Sequence, residues 1–186
     1  MEAIGQRLIR YARKRIEKSW GRGAFEATYL TSRSTIVPEA YLDEDFYAAV
    51  FTMVWSVFDA IAEALGEETG VEVAAEVNVV AGEKAVVLLR CGPVVLLRTE
   101  IEPYSLVWTN EAAMAAAMER WFKEALQASQ PGRMICKVLT ALGWELAQED
   151  KRTMWFYREH QVSDPDEPGE VITETESIQI HFHASA

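Results

Sequence analysis

Apolar residues recur at every fourth place through residues 3–20: Ile4, Leu8, Ala12, Ile16 and Trp20, with Arg and Lys between them. This spacing predicts an amphipathic helix whose stripe, Trp20 included, packs on the rest of the protein. Gly21-Arg22-Gly23 ends it. Ala24 to Val37 is rich in Thr and Ser and partly alternates through Phe25, Ala27 and Tyr29, which points to a strand or extended loop closed by Pro38.

The next helix is expected from Asp43 to Leu65. Asp43 is placed to cap it, Glu44 and Asp45 suit the positive end of its dipole, and Leu42 and Tyr47 stand where a hydrophobic staple would form. Gly66 is its natural stop. Its polar positions Thr52, Ser56, Asp59 and Glu63 make one narrow stripe for water, and Phe46, Val50, Phe51, Val54, Trp55, Phe58 and Ile61 fill the rest. A helix so apolar is central to a fold or covered by a partner. Its longest nearly apolar stretch, Tyr47 to Phe58, is too short for a membrane span.

Three strands follow. Val71 to Val79 alternates with Glu and Asn, Ala85 to Arg90 is an aliphatic run, and Val94 to Glu102 follows the Gly92-Pro93 turn. Connections this short imply an antiparallel meander, which Tyr104 to Trp108 could extend. Asn110 opens a helix over Glu111–Ala128, and Pro131-Gly132 opens a shorter one ended by Gly143. Trp144 to Gln148 and Thr153 to Glu159 read as a hairpin around 149–152. An acidic Pro/Gly loop spans 161–170, and Val171 to His183 is a last long strand.

The predicted fold is α+β: antiparallel meanders packed with four to five helices, in the order α-(β)-α-βββ-α-α-βββ. One domain over 1–186 is expected, with the basic helix 3–20 ahead of two α-βββ halves at about 43–102 and 110–183. No family motif is present. The element order alone is similar to that of small acidic secretion-chaperone folds, and order says little about function.

Charge narrows the partners. Residues 1–22 hold seven basic and two acidic residues, a net +5, and the remainder holds 11 against 27, a net −16. An acidic body repels phosphate backbones, so nucleic acid is not an expected partner. Two cysteines, Cys91 and Cys136, lie far apart and match no CxxC spacing, which suits a reducing compartment. Charges at Arg7, Arg10 and Arg13 interrupt any signal-peptide apolar region, and the cytoplasm is the default.

Few residues carry candidate chemistry. Asp59 and Glu63, four apart on one helix face, could hold a cation or divide acid and base roles. His181 and His183 share a strand face and could supply two metal ligands, with a third needed from His160 or a distant carboxylate. Both pairs also have plain readings, as a solvated stripe and as a frayed C-terminal strand. Gly21-Arg22-Gly23 and Ser32-Arg33-Ser34-Thr35 match no phosphate-binding fingerprint. No cofactor is expected.

The aromatic run is more informative. Met154, Trp155, Phe156 and Tyr157 put large apolar groups on both faces of one strand, beside Trp144. A sheet with one wet face would alternate. The reading from sequence is therefore an acidic cytoplasmic protein-interaction module without catalysis of its own, of adaptor, chaperone-like or immunity/inhibitor type. It would contact a protein partner or a second copy through Trp155, Tyr157, Met154, Phe156, Trp144 and Trp55. The alternative is a small-ligand-binding or metal-dependent enzyme using Asp59/Glu63 or His181/His183.

Overall fold

A computed structural model describes residues 2–33, 44–79, 84–102, 110–150 and 152–182. The order is α1 (Ile4–Trp20), α2 (Ala24–Arg33), α3 (Glu44–Thr69), β1 (Ala74–Asn78), β2 (Ala85–Cys91), β3 (Val94–Ile101), α4 (Glu111–Ala128), α5 (Pro131–Ala141), β4 (Glu145–Glu149), β5 (Thr153–Ser163) and β6 (Val171–His181). The fold is α+β, with two three-stranded antiparallel sheets ordered β1-β2-β3 and β4-β5-β6. The chain divides into two compact units, Met1–Ser129 and Gln130–Ala186. Helix α4 thus belongs with the first sheet, and the second sheet is headed by α5 alone.

In the first unit α3 is the hub, packed by α1, α2 and α4 and by strands β1 and β2. Val50, Met53, Val54, Val57, Phe58, Ile61 and Leu65 are buried along it. Residues Ala48–Thr69 have the length and apolar content of a membrane span, but more than half of that stretch is buried inside the chain, the pattern of a core helix. The first sheet buries Ala85, Val87 and Leu89 at period two, with α4 against β3. Asn110 caps α4 as its spacing predicts, its Oδ1 accepting from the Ala113 N–H at 2.8 Å.

Three expectations need correction. Residues 24–33 are helical, not extended: Phe25 and Tyr29, four apart, are both buried and stack at 6.1 Å between ring centroids. Their spacing fits one helix face, and tertiary burial outweighs the weak helix preference of the intervening Thr and Ser. Helix α3 also runs past Gly66 to Thr69, and Gly70, at φ +71°, ends it. Gly66 serves instead as a close-approach position, since a Cβ there would lie 3.3 Å from the Val71 carbonyl. Finally, Trp20 does not pack with Leu8 and Ile16 but stands 73% exposed. Asp43, the Leu42–Tyr47 staple, residues 104–108 and His183 lie outside the described residues.

In the second unit α5 lies over one face of the β4-β5-β6 sheet. The turn before β5 is set by Asp150, whose carboxylate accepts the N–H groups of Arg152 and Thr153 at 2.8 and 2.9 Å. Strand β5 pairs with β6 over eleven residues, whereas β4 covers only its first few.

Candidate functional site

Of the polar stripe expected on α3, Asp59 and Glu63 stand where the spacing puts them, but Thr52 and Ser56 give way to Phe51 and Trp55. Ser56 is only 6% exposed, whereas Phe51 (37%) and Trp55 (40%) face outward. The outward row is Phe51, Trp55, Asp59 and Glu63, each four residues from the last, with Asp59 half-buried: aromatic at one end and acidic at the other. Phe51 and Trp55 lie 5.9 Å apart between ring centroids, tilted by 34°.

Helix α1 meets this row with its basic side. Its buried edge, Gly5, Leu8, Ile9, Ala12 and Ile16, fixes its rotation and leaves the arginines at the margins. Arg15 reaches both acids of the row, with Nη1 at 3.3 Å from Asp59 and Nη2 at 2.8 Å from Glu63. Other arginines do likewise: Arg7 meets Glu68 at 3.4 Å, and Arg13 meets Glu26 at 3.2 Å and Glu111 at 3.9 Å. Each such partly exposed pair contributes about 0–1 kcal/mol, so together they set orientation more than stability. Tyr11 adds a bond from its hydroxyl to Glu67 at 2.8 Å; that bond, with burial and the carboxylate's charge, holds the phenol above its ordinary value.

Beyond the Arg15 clamp the two helices leave a groove of about 630 Å³. Trp20, Phe51 and Trp55 line it with Arg15, Lys18 and Asp59. Among the described residues Lys18 has no ion-pair partner, so the groove offers apolar surface with one free cation at its margin.

The other candidates are spread over both units. Trp55, Asp59 and Glu63 belong to the first, and Trp144, Met154, Trp155, Phe156, Tyr157 and His181 to the second. Within the second sheet Met154 and Phe156 are buried on one face, while Trp155 is 45% exposed on the other. Tyr157 is half-buried, and its hydroxyl donates to Glu145 at 2.5 Å; that bond and the carboxylate's charge raise the phenol's pKa. Trp144 is half-buried under the Arg158 guanidinium, 4.7 Å from the ring centroid. The His181 ring contacts the Thr153 hydroxyl at 3.4 Å. Cys91 and Cys136 are free and half-buried. No three His, Cys, Asp or Glu side chains cluster for a metal among the described residues.

Trp55 and the acid pair are legible from residue type and spacing, whereas Trp20, Phe51 and Arg15 become their neighbours only in the fold. The usable signal was the four-residue rhythm Phe51-Trp55-Asp59-Glu63 opposite an arginine-rich helix.

No family model matches the chain, and no curated protein matches it. Among solved structures it is similar to one from the cyanobacterium Cyanothece 51142, described as a protein associated with nitrogen fixation from the DUF269 family. The two share 14% identity over 74% of this chain and 86% of that one, with a TM-score of 0.48. A likeness at that level transfers neither family nor function.

Proposed function

We propose that the protein is an interaction module that receives an apolar segment of a partner protein, acidic at its flank, in the groove between α1 and α3. The observation that carries this reading is the exposure of three large aromatics, Trp20, Phe51 and Trp55, around one cavity. Aromatics gathered at an open groove are the composition of an interface core rather than of ordinary surface. Lys18 supplies the charge that an acidic flank would meet, and the Arg15 clamp holds α1 against α3 so that the groove keeps its shape. A catalytic use of Asp59 and Glu63 would require Arg15 to release both carboxylates.

The test is affinity capture from the native host with the intact chain and with a Trp20→Ala/Trp55→Ala variant. Both tryptophans are exposed, so the variant keeps its fold by circular dichroism. A partner retained by the intact chain, lost by the variant and kept by a Trp155→Ser control supports the groove. Identical captured sets from all three would sink it.

A further inference from the structure

The second sheet has one edge unlike the others. Strand β4 is five residues long with a bulge between Leu146 and Gln148, β1 is also five residues, and β3 is eight residues with Arg98 in it and a register shift against β2. Strand β6 runs eleven residues as the outer strand, with an unbroken register against β5. Its sequence, VITETESIQIH, contains no Pro, Lys or Arg. Bulges, Pro, short length and charged side chains, Lys above all, are the usual deterrents to edge pairing, and of these β6 has only two glutamates. Of its two glutamates, Glu176 is paired from β5 by Arg158 at 2.6 Å, and Glu174 lies 3.6 Å from the His160 ring.

The ladder shows which backbone groups are open. At one end Phe182 N–H donates to the Arg152 carbonyl at 2.7 Å, and at the other Asp164 N–H donates to the Glu170 carbonyl at 3.0 Å. Both bonds fall on even positions along the β6 side. Even residues of β6 therefore aim their backbone groups at β5, and the odd residues Val171, Thr173, Thr175, Ser177, Gln179 and His181 aim theirs away. All six are exposed, and among the described residues no strand pairs on that side.

We infer that β6 is a dimerisation edge, pairing antiparallel with β6 of a second copy across a two-fold axis to join two three-stranded sheets into one of six. The outward groups require odd residues opposite odd residues. A register centred on Glu176 would set that carboxylate opposite itself at a Cα separation of about 4.5 Å, which like charges disfavour. Centring on Ser177 removes the clash. It sets Ser177 opposite Ser177, Thr175 opposite Gln179 and Thr173 opposite His181, every pair able to donate and accept. Glu174 and Glu176 then face Ile180 and Ile178. About ten backbone hydrogen bonds form. A foreign strand could use the same backbone groups, but these self-matching side-chain rungs select a second copy. The contact is independent of the α1–α3 groove.

Sedimentation and cross-linking of the full chain test it. Wild type sediments as a dimer. In a Cys91→Ser/Cys136→Ser background, Ser177→Cys cross-links on oxidation, because residues in a hydrogen-bonded antiparallel pair lie about 5.5 Å apart between Cα atoms, within disulfide reach. Gln179→Cys does not, since its two copies stand four residues apart along the strands, about 13 Å. Thr175→Pro removes an outward N–H from each copy while leaving the β5 ladder whole, and weakens the dimer on the order of 100-fold. A wild-type chain monomeric at every concentration overturns the inference, as does equal cross-linking at 177 and 179. Trp20→Ala/Trp55→Ala leaves the dimer unchanged, so failure of the groove and failure of the edge are read separately.

Discussion

The two units distribute their apolar residues very differently. Met1–Ser129 buries α3 among three helices and a sheet, with Leu8, Ile16, Phe25, Met53, Phe58, Ile61, Leu65 and Phe122 sealed from water. Among the described residues of Gln130–Ala186 only Met154 and Phe156 reach that depth, and α5 has no fully buried residue. The first unit has a core of the kind that holds a fold by itself. The second is a three-stranded sheet with a single helix, a size at which hydrophobic burial alone supplies at most about 3–5 kcal/mol. Such a unit gains most from an added strand, which is what its open β6 edge invites.

The comparison breaks or holds most visibly under equal truncations in the two cores. Phe58→Ala and Phe156→Ala each remove a fully buried ring and cost about 3–5 kcal/mol. In the larger core that loss lowers stability and leaves α3 amides protected from exchange. In the smaller unit it matches the whole stability on offer, so amides of β4, β5 and β6 exchange as in an unfolded chain. Retained protection across β5 and β6 in Phe156→Ala would mean that the second unit is held by more than its own two buried side chains.

The same contrast explains what could be read from the sequence. Fold class and all six strands were legible, because alternation in Val71–Val79, short apolar runs such as Ala85–Arg90, and turns at Gly92-Pro93 and Asp150 survive any packing. Helix α2 was not, since Phe25, Ala27 and Tyr29 satisfy a period of two as well as a helical one, and only burial of both rings decides. Half of the row on α3 was misplaced for a related reason. Polarity suggested that Ser56 faces water, yet a small hydroxyl fits a packed interface while Trp55 does not. Trp20 completes the stripe of α1 by spacing, but it is the last residue of the helix, at the margin of the groove.

Two glycines sharpen the comparison at the next level of effect. A Cβ on Gly5 would sit 2.6 Å from the Ala115 carbonyl oxygen, backbone against backbone where α1 crosses α4. Gly5→Ala therefore forces the helices apart and costs about 1–3 kcal/mol. Gly132, in the first turn of α5, has its nearest neighbours at 3.6 Å from Phe182 and 3.8 Å from Met154, ordinary contact distances. Gly132→Ala should stabilise by about 0.4–1 kcal/mol, by restricting the unfolded chain. Chemical denaturation of both variants checks the pair. Destabilisation of similar size at both sites would show that the second unit is packed as tightly as the first.

The smallest effect is electrostatic. Glu2 in the first unit and Glu176 in the second each accept from an arginine, Arg10 at 2.9 Å and Arg158 at 2.6 Å, and that hydrogen bond holds each carboxyl below its ordinary value of 4.5. A carboxyl lowered in the folded state contributes stability at pH above its unfolded value, and that contribution is lost as pH falls through the folded value. Both groups are open to solvent, so the gain is small at each site. The consequence differs with the surroundings. Glu2 lies two residues ahead of α1, a helix anchored by five buried residues. Glu176 lies midway along a ribbon with little else to hold it, next to Ser177 on the open edge. Acidification below pH 4.5 should therefore raise amide exchange along β5 and β6 more than along α1, whose buried residues still hold it when its ion pairs weaken, and Glu176→Gln should flatten the dependence in β5 and β6. Carboxyl titration by NMR, with exchange followed over the same range, reads both. A Glu176 midpoint at or above 4.5 would mean that Arg158 does not hold it in solution.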